Sequence, residues 1–459
     1  MRALRRLWPL LLLALAAGGL WGLRRHPAGV PARPPLEVAA SLAEAAARPE
    51  PPGTAPLLEA LRADLQVHRQ LIVLFADESS LQGPELQRAL AVGHRLHHED
   101  RDLVHQLNAA LTGLAKRPIP QRDPVIGALL DWMEADPDLL ELDRLAFRDP
   151  LRVLQKPLLA DTTPAGLLLN QRLARDLKEV DRVEALVDAE YVRVFGGPGV
   201  PARGGPRERW QAYLAELQRR IPLAPLVQGA SIPGPAGTLQ GSREITGTEL
   251  PEKVLILSFD DGPHRVYTEE IKAILQKEGV PALFFEIGRN LGAQEASGQV
   301  KLSPLAAFTE DLVKGGFVVG NHSYTHAQLS KESGAPLDLE IRETDQLLRA
   351  IPGAHSQLFR FPYGARTAVQ LQALEPYHLR SVLWNIDSLD WADPVPSSVA
   401  DRVLKAIAHE KRGIILFHDI HDRAGKVLPV LIPKLRAEGY RFAGLDAEGA
   451  LVLPARTQD

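Results

Sequence analysis

Two adjacent aspartates, Asp260 and Asp261, close the apolar run "VLILSFDDGPH" over 254–264. Like charges held side by side resist joint ionisation, and a cation beside them removes that penalty. "NHSYTH" (321–326) supplies further donors, His322 and His326, four residues apart. Asp261, His322 and His326 make a 2-His-1-carboxylate set with positions left for water and substrate. Zn²⁺ fits these N/O donors, and Co²⁺, Ni²⁺ or Mn²⁺ would also fit. Asp260 then stays free as a general base toward the attacking water. Three more stretches carry reactive types: "RFPYG" (360–364), "DSLDW" (387–391) and "FHD" (417–419). Arg360 can orient Asp260 and hold it ionised, and His418 as imidazolium can protonate a leaving amine near neutral pH. Taken singly, each piece also has a structural reading. Asp-Asp-Gly-Pro can be a turn, the histidines a surface pair, Arg360 an ion-pair partner, His418 a buried histidine and Trp391 core.

The elements that must position these residues are short. Apolar runs at 254–259, 282–287, 317–320, 357–361, 380–385, 413–417 and 441–445 alternate with amphipathic helical stretches. Alternating strand and helix imply a parallel sheet, and the fold class is α/β. Seven strands over 252–450 suit a distorted, incomplete TIM-like (β/α)7 barrel better than an open sheet. In such barrels the chemistry sits at the C-terminal ends of the strands. The five reactive stretches each end or follow a different run, which weighs against an all-structural reading. Before them, 57–222 reads as an α-helical region, with one stripe at Leu57, Leu58, Leu61, Leu65 and Ile72. Its job is not readable. Within it, "HRLHHED" (94–100) sets His94 and His98 one helical turn apart, a spacing that can bind metal; we read it as a solvated polar face. His264, His421 and Asp422 are read as facing solvent.

The chain has 459 residues, no cysteine and a formal net charge of −4. Two domains are expected at this length. Disulfides, thiolate nucleophiles and cysteine-based zinc sites are excluded, and no basic footprint points to nucleic acid. A basic start (Arg2, Arg5, Arg6) precedes an apolar run from Leu7 to Leu23 and a second basic pair. Residues 1–25 read as a signal peptide or, preferably, a signal anchor. The expected location is therefore exported: the cell envelope, membrane-anchored or periplasmic. Residues 26–56 read as a Pro/Ala-rich tether and 223–251 as an interdomain linker.

The reactive stretches bring a resemblance into view. "SFDDGP", "HSYTH", "RFPYG", "DSLDW" and "LFH" occur in the order seen in the polysaccharide deacetylase family, the NodB-homology domain of carbohydrate esterase family 4. The resemblance covers about 252–445, with Ser258 where the family usually has Thr, and "EGYRF" (438–442) also fits. It implies that the Tyr363 backbone N–H stabilises the oxyanion and that Asp390 raises the pKa of His418 and orients it. Trp391 and Leu416 would wall the acetyl pocket, with Pro362 also substrate-binding. The implied activity is metal-dependent removal of N-acetyl groups from a polysaccharide built on N-acetylglucosamine, peptidoglycan first and an exopolysaccharide next. The same residues would serve an O-acetyl esterase, and a silent glycan-binding protein would lack one of them.

Overall fold

A computed structural model describes residues 33–47, 53–75, 83–197, 199–228, 244–295 and 297–453. The apolar stripes of the first half fold into α1 (Pro35–Ala47), α2 (Thr54–Phe75), α3 (Gly83–Ala115), α4 (Ile119–Ala135), α5 (Arg148–Leu158), α6 (Pro164–Phe195), α7 (Glu208–Arg220) and the short α8 (Leu223–Val227). They share one core, in which Leu57, Leu61, Leu107, Leu111, Ile126, Leu154 and Val183 are fully buried. Each stripe recurs at helical spacing and can bury itself only against another stripe. The segment expected as a tether is partly structured. An alanine-rich run with high helix propensity forms α1, and Val38, Ala39 and Leu42 pack into that core. The expected signal or anchor segment lies outside the described residues. Among the described residues no helix is long and apolar enough to cross a membrane.

The second half is a curled parallel sheet flanked by helices. Its strands are β1 (Val254–Asp260), β2 (Ala282–Glu286), β5 (Val318–Asn321), β6 (Leu358–Phe359), β7 (Arg380–Ser381), β8 (Ile386–Asp387), β9 (Gly413–His418) and β10 (Arg441–Phe442). They lie in the order β7-β6-β5-β2-β1-β9-β8, with β10 beside the start of β1. Two small antiparallel pairs stand apart, β3 (Gly292–Gln294) with β4 (Val300–Leu302) and β11 (Gly444–Leu445) with β12 (Leu451–Val452). The covering helices include α9 (Tyr267–Glu278), α10 (Gly288–Leu291), α11 (Ala306–Lys314), α12 (Gly334–Ala350), α13 (Ala368–Ala373), α14 (Pro396–Glu410) and α15 (Arg423–Ala437).

The run expected as one strand over 380–385 is instead divided. β7 (380–381) pairs with β6, and β8 (386–387), just beyond the expected run, pairs with β9 at the other edge of the sheet, so the residues between them span the gap that closes the curl. The carbonyls between them are taken by other donors: Arg360 donates to Val382 O and Leu383 O, and Ile245 bridges to Val382. That bridge belongs to the expected linker, whose end is thus part of the barrel. Glu244 also pairs with Arg366 at 2.7 Å, both side chains buried.

The helical layer packs across the barrel. Phe75, Val92 and Leu96 share a small core with Leu389, Trp391 and Ala392. Around it run Arg148 to Asp422 (2.9 Å), Lys156 to Glu269 (3.0 Å), Tyr191 Oη to Asp401 (2.9 Å) and Ser397 N to Asp188 (2.8 Å), with Arg152–Glu270, Lys426–Glu184 and Tyr267–Asp149 contacts beside them. Behind this interface Asp64, Asp100 and Asp149 face one another; burial and the Asp149 charge push Asp64 up to about 7. A carboxyl raised in the folded state holds its proton there and loses it on unfolding, so it stabilises at acid pH. This contribution fades as pH rises from the unfolded value of 3.8 through about 7. In thermal melts wild type is expected to lose stability relative to Asp64→Asn as pH rises from 3.8 through about 7. An unchanged slope in the variant would refute this assignment.

Candidate active site

Strand alternation decides which side chains enter the barrel. On β1, Leu255, Leu257 and Phe259 face the outer helices, while Val254 and Ile256 face the inner core. Ser258 and Asp260 follow on the inner face. There they meet Arg360, which has no exposed surface. Arg360 Nη1 donates to Asp260 Oδ1 at 2.7 Å and to Ser258 Oγ at 2.9 Å, and its guanidinium lies 4.1 Å from the Phe285 ring. Every nitrogen of the fork has a partner, which a charge buried this deeply requires. Asp260 is thereby fixed in place and supplied with a counter-charge.

Asp261 leaves the strand at φ 78° and turns its carboxylate toward the histidines of the β5 loop. His326 Nε2 stands 3.1 Å and His322 Nε2 3.5 Å from Asp261 Oδ1. His322 Nδ1 is bonded to Arg360 O at 2.8 Å, which leaves Nε2 as its donor atom. Both oxygens of Asp261 are buried and have no hydrogen-bond partner. Ligands about 2.1 Å from one tetrahedral ion lie about 3.4 Å apart, so these three donors fit a divalent cation. Burial opposes the charge on Asp261, but His326, His97, Arg101 and His418 outweigh it and hold the carboxyl well below the usual range.

On the opposite wall the Asp390 carboxylate grips His418 twice, accepting from its backbone N at 2.9 Å and bonding its Nδ1 at 2.8 Å. Burial disfavours the imidazolium, yet Asp390, with Asp261 and Asp260 behind it, raises His418 to about 9. Asp390 itself falls to about 2, burial being offset by His421 and His418. Asp387 accepts from Leu389 N at 2.9 Å and caps its loop. Tyr363 sits at φ 62° in the turn after Pro362, with its ring 4.8 Å from that of His326. Trp391 and Leu416 are buried beside these groups. Thus every residue singled out in the barrel comes to one end of the sheet.

The reading of "HRLHHED" does not survive. His94, His97, His98 and Arg101 recur at i, i+3, i+4 and i+7, one face of α3. That face lies on the barrel mouth. His97 Nε2 is 3.5 Å from Asp261 Oδ2, Arg101 Nη1 is 3.7 Å from Asp261 Oδ1, and the His98 ring stacks 5.6 Å from that of His326. His94 and His97 cover Trp391 at 4.8 and 5.3 Å. The solvent-facing assignments also fall. His264 stacks on Tyr267 and meets Asn108 of α3 at 3.4 Å, His421 is buried beside Asp390, and Asp422 pairs with Arg148. A signal was present: α3 carries four of the chain's 14 histidines, a residue poorly suited to a purely solvated face.

Residues 247–382 match the family model for polysaccharide deacetylase. The chain is 34% identical over 182 residues to a chitooligosaccharide deacetylase of Rhizobium leguminosarum bv. phaseoli, covering 39% of this chain and 73% of that one. It is 30% identical over 194 residues to the peptidoglycan-N-acetylglucosamine deacetylase PgdA of Listeria monocytogenes serotype 1/2a (strain 10403S), covering 42% of this chain and 38% of that protein. A family 4 carbohydrate esterase from Streptomyces lividans, solved with acetate, matches at 26% identity and a TM-score of 0.38 over 44% of this chain and 96% of that one. The chain belongs to the polysaccharide deacetylase family. Its match spans less than two fifths of the length of the Listeria relative.

The grip of Asp390 on His418 can be tested directly. Asp390→Asn keeps the shape but removes the counter-charge, so the histidine should lose its proton at lower pH. The alkaline limb of kcat/KM is expected to move toward neutrality, with a loss of about 10²-fold or more where general-acid help is needed. An unmoved alkaline limb would show that His418 is not the acid.

Proposed function

We propose that the protein hydrolyses the acetamide of N-acetylglucosamine-type residues in a polysaccharide, releasing acetate and leaving a free amine. The observation that supports this most strongly is the pairing of two opposed proton-transfer groups across one donor set: Asp260 held by Arg360, and His418 held by Asp390. A divalent cation held by Asp261, His322 and His326, with zinc the first choice, would supply Lewis acidity and bring a water's pKa toward ~7. Asp260 then takes a proton as water adds to the acetyl carbon. The Tyr363 N–H stabilises the oxyanion, a contribution typically worth ~2.7–4 kcal/mol of barrier. His418 delivers its proton to the nitrogen as the C–N bond breaks, so that the amine rather than an amide anion departs. Trp391, Leu416 and Pro362 line the acetyl side.

The similar proteins named above act on peptidoglycan and on chitooligosaccharides. Peptidoglycan is our first choice of substrate, in line with the basic and apolar N-terminal segment, which we read as directing the chain to the cell envelope. The amide reading is preferred to O-deacetylation because an ester's leaving alkoxide needs less help than an amine, whereas this acid is held strongly protonated.

Acetate release by the full chain decides the matter. Peptidoglycan, an N-acetylglucosamine oligomer and acetylated xylan would be assayed after chelation and again with Zn²⁺ or Co²⁺ restored. Metal-dependent acetate from an amide substrate is expected, falling about 10²–10⁴-fold in Asp260→Asn. Acetate from xylan alone would move the protein to the esterases. A rate indifferent to both chelation and Asp260→Asn would end the proposal.

A further inference from the structure

A cavity of about 400 Å³ lies where the helical half meets the barrel, a size at which small-molecule sites begin. Ile72, Phe75, Tyr191, Phe195 and Trp210 line it from α2, α6 and α7, and 392–395 with the first turns of α14 close the other side. The hydrolysis derived above uses none of these residues. Three cations line the cavity. Arg402 pairs with Asp393 at 2.8 Å and Lys405 with Asp401 at 2.6 Å, which leaves Arg207 without an ion pair among the described residues. Arg207 is only 9% exposed, and its guanidinium stands 4.8 Å from the Trp210 ring and 5.1 Å from that of Tyr191. Its Nε and Nη2 are buried and have no hydrogen-bond partner, and neither has Trp210 Nε1. A guanidinium placed so deeply is costly unless paired. Its position in the chain supplies no structural reason for it. Arg207 precedes α7 without capping it through its side chain, and a cation is disfavoured at that end of a helix. The helix start is served instead by Glu190, which accepts from Arg209 N at 3.1 Å and Trp210 N at 3.2 Å.

Nε and Nη2 form the edge of a guanidinium that grips a carboxylate through two parallel bonds, as Arg172 grips Glu134 at 2.8 Å each. Beside that edge Phe195 is 54% exposed, with its ring 4.8 Å from that of Tyr191. An open aromatic face next to a carboxylate-gripping edge suits a ring that has apolar C–H faces and carries an acid group. We propose that this cavity binds a carboxylate-bearing sugar, with Arg207 holding the carboxylate and Phe195 stacking on the ring. The sugar is either a unit of the polymer being deacetylated, which rests on the deacetylase reading above, or a free sugar acid.

The test titrates the full chain, freed of metal by chelation, with glucuronate, glucose and inorganic phosphate in a calorimeter. None of these carries an acetamide. Glucuronate is expected to bind, and glucose at least about tenfold more weakly, since it leaves the guanidinium edge unpaired. Arg207→Lys keeps the charge but loses the two-bond grip, and should weaken glucuronate about tenfold. Phe195→Ala changes a half-exposed side chain, and should weaken glucuronate while leaving phosphate unaffected; it carries the test if Arg207→Lys does not fold. Acetate release from the N-acetylglucosamine oligomer, which has no carboxylate, should be unchanged in both variants. A raised KM for peptidoglycan, which has carboxylates, would make the polymer the source of the sugar, and an unmoved KM with glucuronate binding lost would make it a free acid. Glucuronate binding that is undetectable, matched by glucose or indifferent to both variants would overturn the site and leave the deacetylase reading intact. Phosphate bound as tightly as glucuronate, with Phe195→Ala affecting neither, would reduce the cavity to an anion site and overturn the sugar assignment.

Discussion

The structure turns on holding two neighbouring carboxylates side by side in a buried place. Asp260 and Asp261 are each nearly inaccessible, and a buried charge survives only with a counter-charge and hydrogen bonds around it. The fold meets this demand differently for each. Asp260 points along the inner strand face to a guanidinium that is itself satisfied by Ser258 and by two carbonyls of the closing stretch. Asp261 steps out of the strand into a left-handed turn and is ringed by imidazoles. The irregular closure of the sheet follows from the first arrangement: Val382 and Leu383 spend their carbonyls on Arg360 rather than on a neighbouring strand.

The site of the barrel was legible because its residues obey a positional rule. Each reactive stretch sits where an apolar run ends, and a parallel sheet gathers those ends together. Periodicity also located the strands, apart from the closing run, whose carbonyls accept hydrogen bonds from Arg360, a residue outside that run. The α3 stripe was visible too, as histidines at helical spacing, but its meaning was not. Whether a polar helical face meets water or another body depends on how two segments dock, and docking is set by surfaces distant in sequence. The same holds for His264 and Asp422, whose partners come from α3 and α5, whereas His421 is buried beside Asp390 of the barrel itself. Alanine-rich α1 was misread for a simpler reason: prolines at its flanks suggested an extended tether, while the residues between them favour helix.

The interface between the two halves is chemically mixed. A compact apolar patch around Trp391 is bordered by ion pairs at Asp422, Glu269, Glu270 and Glu184. The Lys156–Glu269 pair is exposed, contributes little and is screened by salt, whereas the Arg148–Asp422 pair and the apolar patch are largely shielded from it.

The reach of α3 into the barrel also bears on how the chain is made. Synthesis runs from the N-terminus, and domains tend to fold in that order. The helices that share the first core are complete before β1, and well before β9 brings His418 into place. The histidine face of α3 is thus waiting when the strand ends converge, so the barrel closes beneath it. On that order the carboxylates and imidazoles of the strand ends come together beneath a helical face that is already built.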